Sequence, residues 1–166
     1  LGAVAINQAL EAIADQLVAG GLQVVLLTGK GNQIKVSEST GRFFHQYQFT
    51  NQVRQYEQVA DLVITRAGAT TMAELATVGV ATIIIPSPYL AGDHQTKNAK
   101  VYQRAGAAVM LAESAVRERP SRLAKLISKL MNDATERSQL ADNLHQFAQP
   151  RALDDMTQMI IDAGRK

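Results

Sequence analysis

Cysteine is absent from this chain, so neither a disulfide framework nor a thiolate metal site can exist in it. That composition suits a reducing cytosol. Tryptophan is also absent, aromatics make up only 5%, and the formal charge is just +2. No basic patch interleaved with aromatics occurs, so nucleic acid is not an expected partner. No apolar run approaches the roughly 20 residues needed to cross a bilayer. The longest buried-looking stretches, Val24 to Leu27 and Thr82 to Ile85, have strand length. No signal peptide is visible. There is no internal repeat and no low-complexity segment. No metal-ligand spacing occurs, and no cofactor is expected. The neighbours Asp154 and Asp155 point to different helix faces and read as helix-start acids.

What is present is globular. Hydrophobic residues are 46% and charged residues 19% of 166, enough for one well-buried domain. Val4, Ala5, Ala9, Ala12, Ile13 and Leu17 recur at helical spacing and predict a helix over 3–18, stopped by Gly20-Gly21. Leu22 to Thr28 reads as a strand buried on both faces, broken by Gly29-Lys30-Gly31. Residues 32–42 are loop or short helix. Strands are predicted at Tyr47–Phe49, Leu62–Thr65, Ala81–Ile85 and Ala108–Leu111. Helices are predicted at Val53–Val59, Thr71–Val78, Gln95–Ala105, Ser121–Met131 and Thr135–Phe147, with one more after Pro150. This alternation specifies an α/β layer with a parallel sheet and right-handed crossovers.

The block from Asp61 to Asn98 holds the chemistry. A parallel sheet presents ligands at the carboxyl ends of its strands, and the small and polar residues here fall at those ends. Gly68-Ala69-Thr70-Thr71 joins a strand to a helix, where free N–H groups and the helix dipole favour an anion. Gly68 permits close approach of backbone to ligand, and Thr70 or Thr71 caps the helix or donates to phosphate. The same turn also fits an ordinary helix start. Glu74 is either a helix-dipole carboxylate or an acceptor for the two hydroxyls of a ribose. Gln95 and Asn98 share a helix face, and their amides both donate and accept, which suits sugar hydroxyls. Asp93 is placed to cap that helix. His94 contacts phosphate or sugar, or is a solvated loop residue. Arg66 and Lys97 are candidates to neutralise a diphosphate, with Arg66 also able to support the loop by bonding carbonyls. Lys30 either lines a cleft or is solvated. His45 and His145 lack acidic or cysteine partners and read as surface or satisfied residues.

Arg66 to Glu74, Pro86, Asp93 to Ala99, Thr28-Gly29-Lys30-Gly31 and Ala105-Gly106-Ala107-Ala108 together resemble the nucleotide-sugar-binding half of the MurG glycosyltransferases. The resemblance runs over nearly the whole chain. It implies a Rossmann-like parallel sheet flanked by helices, one half of a GT-B two-domain glycosyltransferase, with residues 1–166 as the C-terminal UDP-sugar-binding domain. Leu1-Gly2-Ala3 matches the tail of the family's glycine-rich strand-to-helix turn, as in a domain cut just after a strand. The C-terminal helix, 150–166, is expected to pack back toward an N-terminal acceptor domain. By the same resemblance the Gly68–Thr71 turn binds the diphosphate of UDP, and Glu74 holds the ribose. Phe49 and Thr50 meet uracil, Phe49 as an apolar wall and Thr50 through its backbone; taken alone, Phe49 reads as core. Gln95 and Asn98 contact the N-acetylglucosamine.

The implied reaction is inverting transfer of N-acetylglucosamine from UDP-N-acetylglucosamine to the undecaprenyl-pyrophosphoryl-muramyl-pentapeptide, converting lipid I to lipid II in peptidoglycan synthesis. No catalytic residue is expected in this half. The general base, the lipid-linked acceptor site and the membrane surface belong to the N-terminal half, and the whole enzyme is expected to be cytoplasmic and peripheral on the bacterial plasma membrane. The alternatives are half of a UDP-sugar epimerase-like enzyme, for which His94 with Asp93 is the one candidate pair, and a non-catalytic nucleotide-sugar-binding module.

Overall fold

The computed structural model describes residues 3–89 and 91–164, with the side chains of residues 91, 153 and 155 also left undescribed. The turn fragment expected at Leu1-Gly2, the last two residues of the expected C-terminal helix and the Asp155 side chain lie outside the described residues. The fold alternates helix and strand as the sequence pattern requires. Helix α1 (Val4–Ala19) leads to β1 (Val24–Leu27) and β2 (Phe44–Tyr47), separated by a 3-10 turn at Thr40–Arg42. Then come α2 (Val53–Val59), β3 (Val63–Thr65), α3 (Ala69–Val78), β4 (Thr82–Ile84), α4 (His94–Arg104) and β5 (Val109–Met110). Four further helices close the chain: α5 (Glu113–Glu118), α6 (Pro120–Asn132), α7 (Ala134–His145) and α8 (Ala152–Gly164).

All strand pairs are parallel. They form two ladders among the described residues, β1–β2 and β3–β4–β5. One core joins them. Ile6, Leu10, Ile13 and Leu17 of α1 pack with Leu26 and Phe44 of the first ladder and with Ile83 and Ile85 at the second. Helix α1 also packs on α5 and α6, and α6 contributes Leu123, Ile127 and Leu130 to the same core. Burying each such side chain stabilises the fold by about 1.5–3 kcal/mol. A second cluster, built on Met72, Leu75 and Ala76 of α3 with Ile84, Ala99 and Leu144, fastens α3 and α4 to the sheet.

Several boundaries differ from the sequence reading. Strand β1 is not buried on both faces: only Leu26 is buried, while Val25 and Leu27 are 41% and 38% exposed. The continuous apolar run masked an alternation in environment that composition alone does not carry. Strand β2 starts three residues before the expected Tyr47. Helix α5 was not expected, because only eight residues separate β5 from the Arg119-Pro120 break. Gly79 ends α3 in the left-handed region at φ 71°, as a residue without Cβ permits.

Candidate functional site

Three segments follow the carboxyl ends of strands: residues 48–52 after β2, Arg66–Thr71 after β3, and Ile85–Asp93 after β4. Strand β3 delivers the Gly68–Thr71 turn. Gly68 occupies the N-cap position of α3 with extended backbone, and no side chain caps the helix. Thr70 and Thr71 lie inside the first turn, so neither caps it, contrary to the expectation. The initial N–H groups of α3 therefore stay open toward an acceptor. Gly68 has φ −70°, and a Cβ there would meet nothing nearer than Thr71 Oγ1 at 3.7 Å. The fold does not itself demand glycine at 68, and the turn presents bare backbone there. Ala69 and Thr70 are exposed beside it.

Glu74 is exposed and lies in the second turn of α3, beyond the first turn in which a helix dipole acts strongly. It has no hydrogen bond or ion pair among the described residues. It sits across from α2 on a groove of about 320 Å³ lined by Asn51, Arg54, Glu57 and Thr77. Glu57 on the floor of that groove is 8% exposed. Burial, and then the Glu74 charge, push its carboxyl above the ordinary range, while Arg54 works the other way. Neither the burial of Glu57 nor its nearness to Glu74 was legible in the sequence.

Phe49 is 86% exposed, which removes the core reading of this ring. An apolar ring in that setting contributes little to folding and is available as a flat wall. Thr50 is half-buried, and its hydroxyl accepts from the Gln52 N–H at 3.1 Å. The Thr50 backbone remains the group that would face a base edge.

Helix α4 brings its amides back onto the strand-end loops. Gln95 Oε1 accepts from the Ser87 N–H at 2.8 Å, and Asn98 Nδ2 donates to the Ala67 carbonyl at 3.4 Å. Each amide thus commits one atom to the backbone, and its other atom has no described bond. Asp93 does occupy the N-cap position of α4, but its backbone is left-handed (φ 54°) and its side chain makes no capping bond. His94 is exposed and its ring folds over Gly92, whose left-handed φ of 69° and missing Cβ make room for it. It shows no bond to Asp93, so the pair does not form an acid–base dyad.

Arg66 is a support. Its guanidinium donates to the Ile85 carbonyl at 2.9 Å and pairs with Glu113 Oε2 at 2.6 Å. Glu113 also holds Arg117 at 2.8 Å. Burial pushes the Glu113 carboxyl up, but the hydrogen bonds and charges of Arg117 and Arg66 outweigh it and leave it below its ordinary value. This network turns the Arg66 charge toward Glu113 and away from the role of diphosphate counter-ion, leaving exposed Lys97 as the other candidate. Glu113 was missed by sequence reasoning; its one signal was the four-residue spacing to Arg117. His145 is satisfied by the Ala76 carbonyl at 3.0 Å, and His45 is exposed on β2. Lys30 is exposed between Gly29 and Gly31, both at φ 75°. A groove of about 240 Å³ lined by Asp61, Gly79 and Arg137 lies at the opposite, amino-terminal ends of β3 and β4. No group of His, Cys, Asp and Glu among the described residues is arranged to hold a metal.

The strand ends thus carry a turn with open helix N–H groups, an unpaired carboxylate one turn on, an exposed ring and two amides each with one described bond. The chain is 32% identical over 164 residues to the UDP-N-acetylglucosamine–N-acetylmuramyl-(pentapeptide) pyrophosphoryl-undecaprenol N-acetylglucosamine transferase of Salinibacter ruber, covering 97% of this chain and 44% of that protein. It is 35% identical over 162 residues to the transferase of the same name from Flavobacterium psychrophilum, covering 97% of this chain and 43% of that one. The crystal structure of Acinetobacter baumannii MurG superimposes with a TM-score of 0.78 at 30% identity, over 98% of this chain and 47% of MurG. The chain therefore spans slightly less than half the length of the relatives it matches. Residues 1–156 match the model of the glycosyltransferase family 28 C-terminal domain, and the chain belongs to that family.

Proposed function

We propose that this chain is the donor-binding half of a two-domain inverting glycosyltransferase and that it binds UDP-N-acetylglucosamine. The observation that carries the reading is the unpaired, exposed Glu74 one turn beyond the uncapped Gly68–Thr71 helix start. The open N–H groups of that start donate to the diphosphate oxygens, and Lys97 adds a positive charge. Glu74 accepts from the ribose hydroxyls, a charged hydrogen bond worth about 1.5–3 kcal/mol. Phe49 walls the uracil and the Thr50 backbone reads its edge. The free atoms of Gln95 and Asn98 take the sugar hydroxyls, and His94 closes over the sugar or phosphate. The N-acetylglucosamine transferase activity for which the relatives are named and the match along 97% of this chain support the donor assignment.

In the whole enzyme the reaction is displacement at the anomeric carbon. The bond from that carbon to the diphosphate oxygen breaks as the acceptor sugar hydroxyl forms a new C–O bond from the opposite face. The hydroxyl proton passes to a base in the other half, and UDP leaves with the electron pair. The acceptor is undecaprenyl-pyrophosphoryl-muramyl-pentapeptide, so the step converts lipid I to lipid II. The other half supplies the acceptor site and the contact with the cytoplasmic face of the plasma membrane. No described helix of this chain is long and apolar enough to cross a membrane. Helix α8 exposes Met156, Met159, Ile160 and Ile161, which suits it to pack back on that other half.

Calorimetric titration of the purified chain with UDP and with UDP-N-acetylglucosamine tests the reading. Saturable binding of both, tighter for the sugar nucleotide and without transfer to a lipid acceptor, is expected. Absence of binding of either ligand to the folded chain refutes it.

A further inference from the structure

Two acids are buried among the described residues, Glu57 and Glu113. Glu113 is held between two arginines. Glu57 has neither an ion pair nor a hydrogen bond among the described residues. It stands in the second turn of α2 and lines the groove of about 320 Å³ between α2 and α3. Asn51 and Arg54 line the groove on its own side, Glu74 and Thr77 on the side of α3. On its other flank Glu57 meets a groove that holds Asp61 and Arg137. Those two face each other at 4.0 Å, and the Arg137 guanidinium donates to the Leu130 and Met131 carbonyls. Arg137 is thus engaged elsewhere, and Arg54 is exposed without reaching Glu57 as an ion pair. A buried carboxylate without a partner is costly, and a second carboxylate nearby makes it costlier.

The two acids of the groove therefore divide their chemistry. Glu74 is exposed and ionised, so its carboxylate only accepts hydrogen bonds. Glu57 is favoured in its neutral form, and a neutral carboxyl also donates through its O–H. Two carboxyl groups whose surroundings push them apart in this way take unlike roles toward one ligand. No hydrogen bond joins Glu57 to Glu74, so the space between them is open to an occupant. The Thr77 hydroxyl beside them is already turned back onto the Ala73 carbonyl at 2.9 Å. A pentose carries both complementary groups, hydroxyls that donate and oxygens that accept. The groove also begins at Asn51, the residue after Thr50, so a ribose lying in it is continuous with a base at Phe49 and Thr50.

We propose that Glu57 is a further binding residue of the donor site, its neutral carboxyl donating to a ribose oxygen opposite Glu74, so that donor binding weakens when Glu57 ionises. The proposal rests on the donor reading given above. Ionisation removes the donor and adds a negative charge that faces Glu74 and the incoming diphosphate. The direction with pH follows. Burial, then the Glu74 charge, hold the Glu57 carboxyl above its ordinary value of 4.5, against the pull of Arg54. The ligand favours the protonated form, so affinity is full below the folded pKa and falls as pH rises through it. The charged groups that face Glu57 are Arg54 on α2, Glu74 on α3, Asp61 after α2 and Arg137 on α7.

Calorimetric titration with UDP-N-acetylglucosamine tests this on the parent chain, Glu57→Gln and Glu57→Leu across about pH 5 to about pH 8. The sugar nucleotide is the probe because its diphosphate, esterified at both ends, lacks the terminal phosphate ionisation of UDP. Parent affinity should fall by about tenfold toward the alkaline end. Glu57→Gln should bind with one affinity across the range, because an amide donates at every pH. Glu57→Leu removes the donor and should bind about three- to tenfold more weakly than the parent at the acid end. If a variant does not fold, titrations of the parent in buffers of different ionisation enthalpy read the same linkage: proton uptake on binding supports the proposal, and its absence across the range overturns it. Level parent affinity, a slope that survives in Glu57→Gln, or undiminished binding by Glu57→Leu overturns the role of Glu57 and leaves the donor reading standing. Absence of binding at every pH overturns the donor reading and the proposal together.

Discussion

Replacing Glu113 by glutamine removes one negative charge held between two arginines while keeping the side-chain shape. The Glu113 side chain is 3% exposed, Arg66 18% and Arg117 47%. Breaking a buried ion pair by neutralising one partner costs about 3–5 kcal/mol. The half-exposed Arg117 pair adds little, since exposed pairs contribute about 0–1 kcal/mol. The glutamine carbonyl still accepts from one guanidinium, which recovers roughly 1 kcal/mol. The expected net loss is about 2–4 kcal/mol. For a domain of this size each kcal/mol moves the thermal midpoint by roughly 2–4 °C, so calorimetry should find Tm lower by about 4–16 °C. The pH dependence identifies the cause. The folded carboxyl lies below its ordinary value of 4.5, so its contribution is complete above that value and is lost as pH falls through the folded pKa. Parent and variant should differ by a constant amount from pH 7 to about 5 and converge toward pH 3. A gap that persists undiminished at pH 3 refutes the ionic account and assigns the loss to shape. A gap under about 0.5 kcal/mol at pH 7 places the network with ordinary surface pairs.

Three further substitutions address the ligand edge. Glu74→Gln should weaken UDP about tenfold or more in a calorimetric titration while leaving Tm nearly unchanged, because the carboxylate has no described partner to lose; unaltered UDP affinity returns Glu74 to the scaffold. Phe49→Ala should lower affinity for UDP and for uridine alike, with stability within about 0.5 kcal/mol of the parent as at other exposed positions; a large drop in Tm would show that the ring is covered in solution. Gln95→Ala should weaken UDP-N-acetylglucosamine more than UDP, and it should also lower stability by about 1 kcal/mol, since the Ser87 N–H loses its acceptor. Equal loss for both ligands would confine Gln95 to holding the loop after β4.

The alternation of short apolar runs with helical patterns was enough to place four strands and most helices, because the periodicity of each element follows from which face it buries, while β2 overlaps its expected range only at Tyr47. Glycines at 20–21, 29–31, 79 and 106 marked the breaks well, since the left-handed conformations at Gly21, Gly29, Gly31, Gly79 and Gly106 favour a residue without Cβ. Exposure was another matter. Phe49 and the Leu22–Thr28 run looked equally apolar in sequence, yet Phe49 stands in solvent and β1 is half-covered. Hydrophobicity reports what a residue can bury, while the neighbours decide what it does bury. The capping assignments at Thr70, Thr71 and Asp93 failed for a related reason. A cap depends on the backbone angle at one position, and residue type only biases that angle.

In the proposed donor site, the amides of α4 combine a loop-supporting role with a ligand-reading one. Gln95 fixes the segment leaving β4, and Asn98 reaches the carbonyl just before the Gly68 turn. Arg66 crosses between the same two segments through the Ile85 carbonyl, and Glu113 holds Arg66 from the side of α5. The strand ends after β3 and β4 are therefore linked by three side chains, each of which bonds a backbone group. An amide half committed in this way loses little rotamer freedom when a sugar hydroxyl takes its other atom, because its side chain is already ordered in the folded chain. Ordering a rotamer-rich side chain costs about 0.5–1.5 kcal/mol on binding. Gln95 and Asn98 meet most of that cost when the domain folds. On the proposed donor reading, their bonds to the loops prepare both amides for the sugar, and substituting Gln95 is then expected to change loop stability and sugar preference together.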